Sequence, residues 1–209
     1  DFIVGDVFIA KIRKPVAGLN AAFVNVGYEK DAFLHYHDLG PNLASQLKFI
    51  KLVSAGKIKD YSLKNFPFEA EINKDGTITD ILSPNQSILV QVVKEPISTK
   101  GPRISSEISL AGRYVVLVPF SDRVSVSQKI ESREEKDRLK RLVQSIKPKG
   151  FGVIVRTVAE GKKVAELDKD LQTLLDRWSA MSRRLQTAHH PSKVLGELNK
   201  ASSILRDVF

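Results

Sequence analysis

Two phenylalanines, Phe23 and Phe33, flank the polar run from Gly27 to Asp31, and each sits in a stretch of strand-like alternation. A period of two on both sides of a short turn predicts a β-hairpin, because successive side chains of a strand point to opposite faces of the sheet. Both rings then reach the same part of one sheet. Two readings stay open at this point. Phe is among the residues most often buried, which would put the pair in a core. A nucleic-acid base offers a flat π-face to any aromatic, which would make the pair a stacking platform for a single strand.

The hairpin belongs to an all-β beginning. Val7 to Ile12, Ala21 to Val26 and Ala32 to Tyr36 read as strands, with turn chemistry at Pro15 to Asn20 and Gly27 to Asp31. The pattern then changes. Leu43 to Leu52 has helical character, Gly56 breaks it, and residues 68–82 read as strand, turn and strand around Asp75-Gly76, a strong hairpin dipeptide. Ser87 to Lys94 is one more strand, followed by a polar loop from Glu95 to Arg103. Residues 1–106 are therefore expected to form a five-stranded barrel of the oligonucleotide-binding kind, with a long insertion at about 40–84.

Beyond Glu107 the signals are mixed. Tyr114 to Val118 reads as a buried strand, and Ser132-Arg133-Glu134-Glu135 is a capping box launching a helix with Leu139, Leu142, Val143 and Ile146 on one face. Pro148 and Gly150 stop that helix. Gly152 to Val155 is a second apolar strand ending in Arg156-Thr157. A long helix follows, with Val164, Leu167, Leu171, Leu174, Leu175, Trp178 and Leu185 at helical spacing. The expected fold class is α+β, with an α+β subdomain over 107–190. Residues 191–209 read as the start of a segment leading to a next domain, either a strand plus a helix or one helix. No internal repeat is visible.

The charge balance narrows the partner. Thirty-three Lys and Arg against twenty-four Asp and Glu leave a formal charge of +9, which biases the surface toward polyanions. No apolar stretch approaches membrane-spanning length, and no basic amphipathic segment carries aromatic anchors. Nucleic acid is thus the leading partner and membrane is not. The chain has no Cys, so disulfides and thiolate zinc sites are excluded and a reducing, cytoplasmic setting fits. An opening at Asp1-Phe2 without Met, and without a signal peptide, suggests a cut fragment or a processed chain.

Candidate phosphate contacts are Lys11, Lys14, Lys30, Lys100 and Arg103, and the loop Ser98-Thr99-Lys100-Gly101 sets flexible backbone beside a cation. In the second region Arg156 supplies a planar fork and Thr157 a hydroxyl, a pair suited to a terminal phosphate. Ala111-Gly112-Arg113 adds a glycine that would let backbone N–H groups approach an anion. A catalytic centre is not found. Glu131, Glu134, Glu135 and Asp137, then Glu166, Asp168, Asp170 and Asp176, read as solvated helix charges and not as a metal cluster. His189-His190 lacks the neighbours of a metal site. No catalytic or metal-binding residue is assigned.

Five ordered motifs carry a family resemblance. Asp6-Val7-Phe8-Ile9-Ala10-Lys11-Ile12, Leu19 to Gly27 and Ala32-Phe33-Leu34-His35 resemble the S1 domain of the ribonuclease E/G family. Ile108 to Pro119 and Gly152 to Thr157 are similar to that family's 5′-sensor region, in the same order. The resemblance implies an S1 barrel followed by a 5′-sensor in an endoribonuclease that processes ribosomal RNA and initiates messenger decay. It implies that Phe23 and Phe33 stack on bases, that Lys100 contacts the strand, that Gly112 and Val116 line the 5′-end pocket, and that Arg156 and Thr157 hold the monophosphate. The implied partner is single-stranded RNA, preferably 5′-monophosphorylated, and a homo-oligomer would form through other parts of the parent protein. Mg2+ is expected in a catalytic module downstream, with no cofactor in this chain and no activity of the chain alone.

Two features depart from the pattern. Gln128-Lys129 stands where the family carries consecutive basic residues before an Ile-Glu pair, and the insertion is longer than usual. Two other readings compete: a stand-alone S1-type RNA-binding protein without nuclease activity, and a scaffold whose Trp178 helix binds protein.

Overall fold

The computed structural model describes residues 2–196. They divide into two units, each assembled from separated stretches of chain: 2–59, 67–108 and 181–196 make the first, and 60–66 with 109–180 the second.

The first unit is a closed barrel. Strand β1 (Val7–Val16) pairs antiparallel with β4 (Ser87–Lys94) from Val7 to Lys11, and with β2 (Ala21–Asn25) from Lys11 to Val16. A register shift between Ile12 and Lys14 marks where the long strand bends to serve both partners. β2 pairs with β3 (Ala32–His35), β3 runs parallel to β5 (Arg103–Ser105) at Phe33 and Arg103, and β5 returns to β4, which closes the ring. Phe8, Ala10, Ile12, Ala22, Val24, Leu34, Ile88, Val90 and Ile104 fill the interior, as the period-two pattern requires.

β5 is too short to cover all of β4, and a side chain completes the ladder. Gln46, buried on helix α1 (Leu43–Ser54), accepts from the Leu89 N–H at 3.0 Å and donates to the Leu89 carbonyl at 3.1 Å and the Ser106 carbonyl at 2.7 Å. Backbone groups that would be orphaned on the barrel wall are thereby satisfied.

The hairpin expected at Asp75-Gly76 does not form. Residues 68–82 contain a turn and a single 3-10 turn at Ile78–Asp80, but no strand. Side chains have taken the hydrogen bonds a hairpin would need. Asn20 donates to the Gly76 carbonyl at 3.1 Å and accepts from the Ile78 N–H at 2.7 Å, the Tyr36 hydroxyl donates to the Asn73 carbonyl, and the Asn73 side chain accepts from the Asp75 N–H at 3.0 Å. Gly76 is needed for close approach, since a Cβ there would collide with the Tyr36 hydroxyl. Ile78 and Leu82 still reach the barrel core.

Residues 192–195, for which the sequence is compatible with strand or helix, form β10 (Ser192–Leu195) and pair antiparallel with the start of β1. The remainder of that expectation, 197–209, lies outside the described residues.

The second unit holds a sheet in the order β6 (Leu110–Ala111), β7 (Val115–Pro119), β9 (Phe151–Val155), β8 (Val124–Val126). Helix α2 (Arg133–Ile146) starts as its capping box predicts, with the Ser132 hydroxyl accepting from the Glu135 N–H at 3.2 Å. Helix α3 (Val164–Thr187) buries Leu167, Leu171, Leu174 and Trp178. The Trp178 indole N–H donates to the Tyr61 carbonyl at 2.8 Å, and its ring meets Phe120 and Phe151 edge to face at 5.7 and 6.0 Å. The long insertion thus contributes residues 60–66 to this unit, where Leu63 is buried.

Glu135 also fastens the loop before α3. Its carboxylate takes a two-pronged hydrogen bond from Arg138 at 2.5 and 2.9 Å and another from the Gly161 N–H at 2.5 Å. The Arg138 hydrogen bond, then that of Gly161, hold its pKa at about 2, below the usual 4.5. A depressed folded-state pKa means that this stabilisation is complete above about pH 4.5 and is lost as the pH falls toward 2. Glu135→Gln is therefore expected to cost about 1 kcal/mol at neutral pH, allowing for solvent screening, and almost nothing at pH 2. Urea unfolding of both proteins across that range checks it; a gap that does not narrow with acid would show that Glu135 acts through shape alone.

Candidate nucleic-acid interface

On the barrel wall, the inward residues Ala22, Val24, Ala32 and Leu34 are fully buried, and the outward Phe23 and Phe33 between them are 36% and 41% exposed. These two rings are therefore not core. They stand directly opposite one another in the β2–β3 register and meet edge to face at 5.9 Å. Two opposed rings in the middle of two strands thus leave aromatic surface open to solvent.

The pair floors a groove of about 890 Å³, also lined by Lys30, His35, Lys100 and Arg103. Two carboxylates at the groove each meet a cation: Asp31 with Arg13 at 2.7 Å and Asp38 with Arg103 at 3.4 Å. Lys30 and Lys100 are exposed at its rim. Lys100 is presented by a tight turn, its N–H and carbonyl paired with those of Ile97 at 2.9 and 3.2 Å. Of the other sequence candidates, Lys11 donates to the Asn85 carbonyl at 3.2 Å, and Lys14 is exposed opposite Phe23 in the β1–β2 register. An aromatic floor with a cationic rim suits a single-stranded polyanion.

His35 is a groove residue that the sequence reading misses. It lies two positions after Phe33 on the same strand face, and that spacing is the signal that could have found it. Its Nδ1 accepts from the His37 N–H at 3.0 Å, which places the ring proton on Nε2.

In the second unit, Gly112 and Arg156 come together: Arg156 Nη1 donates to the Gly112 carbonyl at 2.8 Å, and the Arg156 N–H to the Tyr114 carbonyl at 2.8 Å. Val116 pairs with Ile154 on the adjoining strand, two residues before Arg156. The Thr157 hydroxyl is within 2.7 Å of the Ser127 hydroxyl. Arg156, Thr157 and Val116 are half-buried, while Gly112 is buried.

The structure corrects one sequence reading here. The backbone N–H groups after Gly112 do meet an anion, and it is internal: the Asp170 carboxylate accepts from the N–H groups of Arg113, Tyr114 and Val115 at 3.0, 2.8 and 3.0 Å. Asp170 is therefore not a solvated helix charge. A carboxylate facing three consecutive N–H groups is the arrangement of an anion nest. Helical periodicity alone could not distinguish it from its acidic neighbours on α3.

His190 carries structure: its Nδ1 lies 2.6 Å from the Ser87 hydroxyl, and burial, helped by Lys11, holds its imidazole below the usual pKa. Among the described residues no three His, Cys, Asp or Glu side chains gather as a metal site requires, and no helix is long and apolar enough to cross a membrane.

Residues 109–209 match the family model of the Ribonuclease E/G family. The chain is 36% identical over 207 residues to a protein named Ribonuclease E from a Nostoc species, an alignment covering 99% of this chain and 26% of the relative. It is 33% identical over 207 residues to Ribonuclease E of a Synechocystis species, with 99% and 27% covered. It is 34% identical over 205 residues to Ribonuclease G of Escherichia coli, with 98% and 38% covered. The chain thus spans 26–38% of the length of these relatives.

Proposed function

This chain belongs to the ribonuclease E/G family, and from that premise we propose that it is the RNA-recognition portion of an endoribonuclease acting in ribosomal RNA processing and messenger decay in the cytoplasm. In this reading the barrel groove grips single-stranded RNA and the Arg156 site senses a 5′-monophosphate. The observation that carries the grip is the exposed, opposed pair Phe23 and Phe33 in a cation-rimmed groove. Stacking on two rings is tolerant of sequence, and Lys30 and Lys100 add attraction for the backbone. Such a groove fits a nuclease that must act on many transcripts.

The 5′-end reading rests on chemistry. Arg156 is a planar donor fork and Thr157 a hydroxyl at the end of β9, and a terminal phosphate offers more charge and more acceptor oxygens than an internal one. Cleavage itself is not assigned to residues of this chain, and no step of the reading runs through a metal ion.

The test is a pairwise comparison of one short RNA carrying either a 5′-phosphate or a 5′-hydroxyl, at fixed salt. The phosphorylated form is expected to bind roughly tenfold tighter, the effect of one charge-assisted hydrogen bond. Arg156→Ala should erase the difference and leave 5′-hydroxyl binding nearly unchanged. Equal affinities in the unmodified chain would sink the sensor assignment and favour a plain RNA-binding module.

A further inference from the structure

Three consecutive peptide units separate Asp170 from Arg156, and each of them touches both. The unit joining Gly112 to Arg113 donates its N–H to Asp170 Oδ1 at 3.0 Å and accepts from Arg156 Nη1 through its carbonyl at 2.8 Å. The unit joining Arg113 to Tyr114 donates to Asp170 Oδ2 at 2.8 Å and has its carbonyl 3.5 Å from the same Nη1. The unit joining Tyr114 to Val115 donates to Oδ2 at 3.0 Å and accepts from the Arg156 N–H at 2.8 Å. The turn is closed by the Gly112 N–H on the Val115 carbonyl at 2.8 Å. A carboxylate therefore stands on the N–H side of the turn and Arg156 on its carbonyl side, the guanidinium against the Gly112 and Arg113 carbonyls and the backbone N–H against that of Tyr114.

We infer that Asp170 is a positioning residue for the 5′-phosphate site, acting on Arg156 through the Gly112–Val115 turn; this rests on the proposed 5′-end reading. The carboxylate fixes the orientation of the three peptide planes. Its charge polarises them, so that the Gly112 carbonyl becomes a stronger acceptor for the guanidinium, as linked hydrogen bonds reinforce one another. The fork is then held in one orientation before any RNA arrives, which lowers the ordering cost of binding. Gly112 is part of the same device. A Cβ at that position would lie 2.5 Å from an Asp170 oxygen, so any side chain would push the carboxylate off its three donors.

The experiment uses the whole chain with Asp170→Asn. Asparagine keeps the volume but loses the charge, and its amide NH2 opposes donors that the carboxylate accepted. Affinities for the same RNA with a 5′-phosphate and a 5′-hydroxyl are compared, and the Arg156 side-chain NH signals are followed by 15N NMR without RNA. Asp170→Asn is expected to reduce the 5′-phosphate preference roughly tenfold, with 5′-hydroxyl affinity changed less than about twofold, since only the fork is misplaced. The Arg156 signals should shift and broaden in the free protein. If the unmodified chain shows the preference and the variant keeps it, the positioning role is overturned. If the unmodified chain shows none, the 5′-end reading has failed, and unchanged Arg156 signals would separately overturn the coupling to Asp170. Should Asp170→Asn fail to fold, Asp170→Ser, which retains an acceptor oxygen without the charge, is put through the same two measurements: a retained 5′-phosphate preference or unchanged Arg156 signals overturn the role, and loss of both supports it.

Discussion

Replacing Phe23 and Phe33 together by leucine is expected to weaken binding of single-stranded RNA by about 1–3 kcal/mol for each base stack lost. Leucine keeps apolar volume but has no π-face, so the substitution separates stacking from simple hydrophobic contact. The cost to stability should be small. Both rings are more than a third exposed, and the mutual edge-to-face contact contributes at most about 1.5 kcal/mol. Fluorescence anisotropy with a labelled oligonucleotide, alongside thermal unfolding of the same samples, reads both quantities. If binding survives while stability drops, the pair is a structural cover for the barrel and the groove needs another occupant.

Trp178→Ala should have the largest effect on folding, about 3–5 kcal/mol, the range for truncating a buried aromatic. Three losses coincide. The side chain, 1% exposed, leaves a cavity; its edge-to-face contacts with Phe120 and Phe151 vanish; and the Tyr61 carbonyl loses its indole donor. Residues 60–66 belong to the same unit, so their backbone amides should lose protection from hydrogen exchange in the variant ahead of the barrel strands. Circular dichroism during urea unfolding gives the magnitude, because Trp178 is the sole Trp and its fluorescence disappears with it. A loss below about 1 kcal/mol would mean that the site collapses around the missing ring. Trp178 itself is buried and so is not the residue through which that helix would meet a protein partner.

Much of the barrel was legible because a strand advertises itself locally. The alternation around Phe23 and Phe33 and the apolar run Ser87 to Lys94 state which residues share a face, and the capping box at Ser132 states where α2 begins. The two aromatics of the groove followed from the same periodicity, as did the position of Arg156 after an apolar strand, whereas His35 did not enter the reading and the lysines came from charge alone. Whether the two rings faced inward or outward did not follow. That choice depends on which face of the sheet curls inward, and closure of β1 onto β4 decides it.

The misreadings have a common cause. Asp75-Gly76 has the local chemistry of a hairpin, yet Asn20 and Tyr36, distant in sequence, capture the backbone groups a ladder would use. Asp170 has the local signature of a solvated helix charge, yet the chain brings three N–H groups from residues 113–115 onto it. Local periodicity and turn chemistry were enough for strands, helices and their faces, since those depend on neighbours along the chain. The partners of Gln46, Asn20, Trp178 and Asp170 depended on loop closure over dozens of residues, and a hydrogen bond's partner is set by what arrives within about 3 Å after folding, which no local pattern encodes.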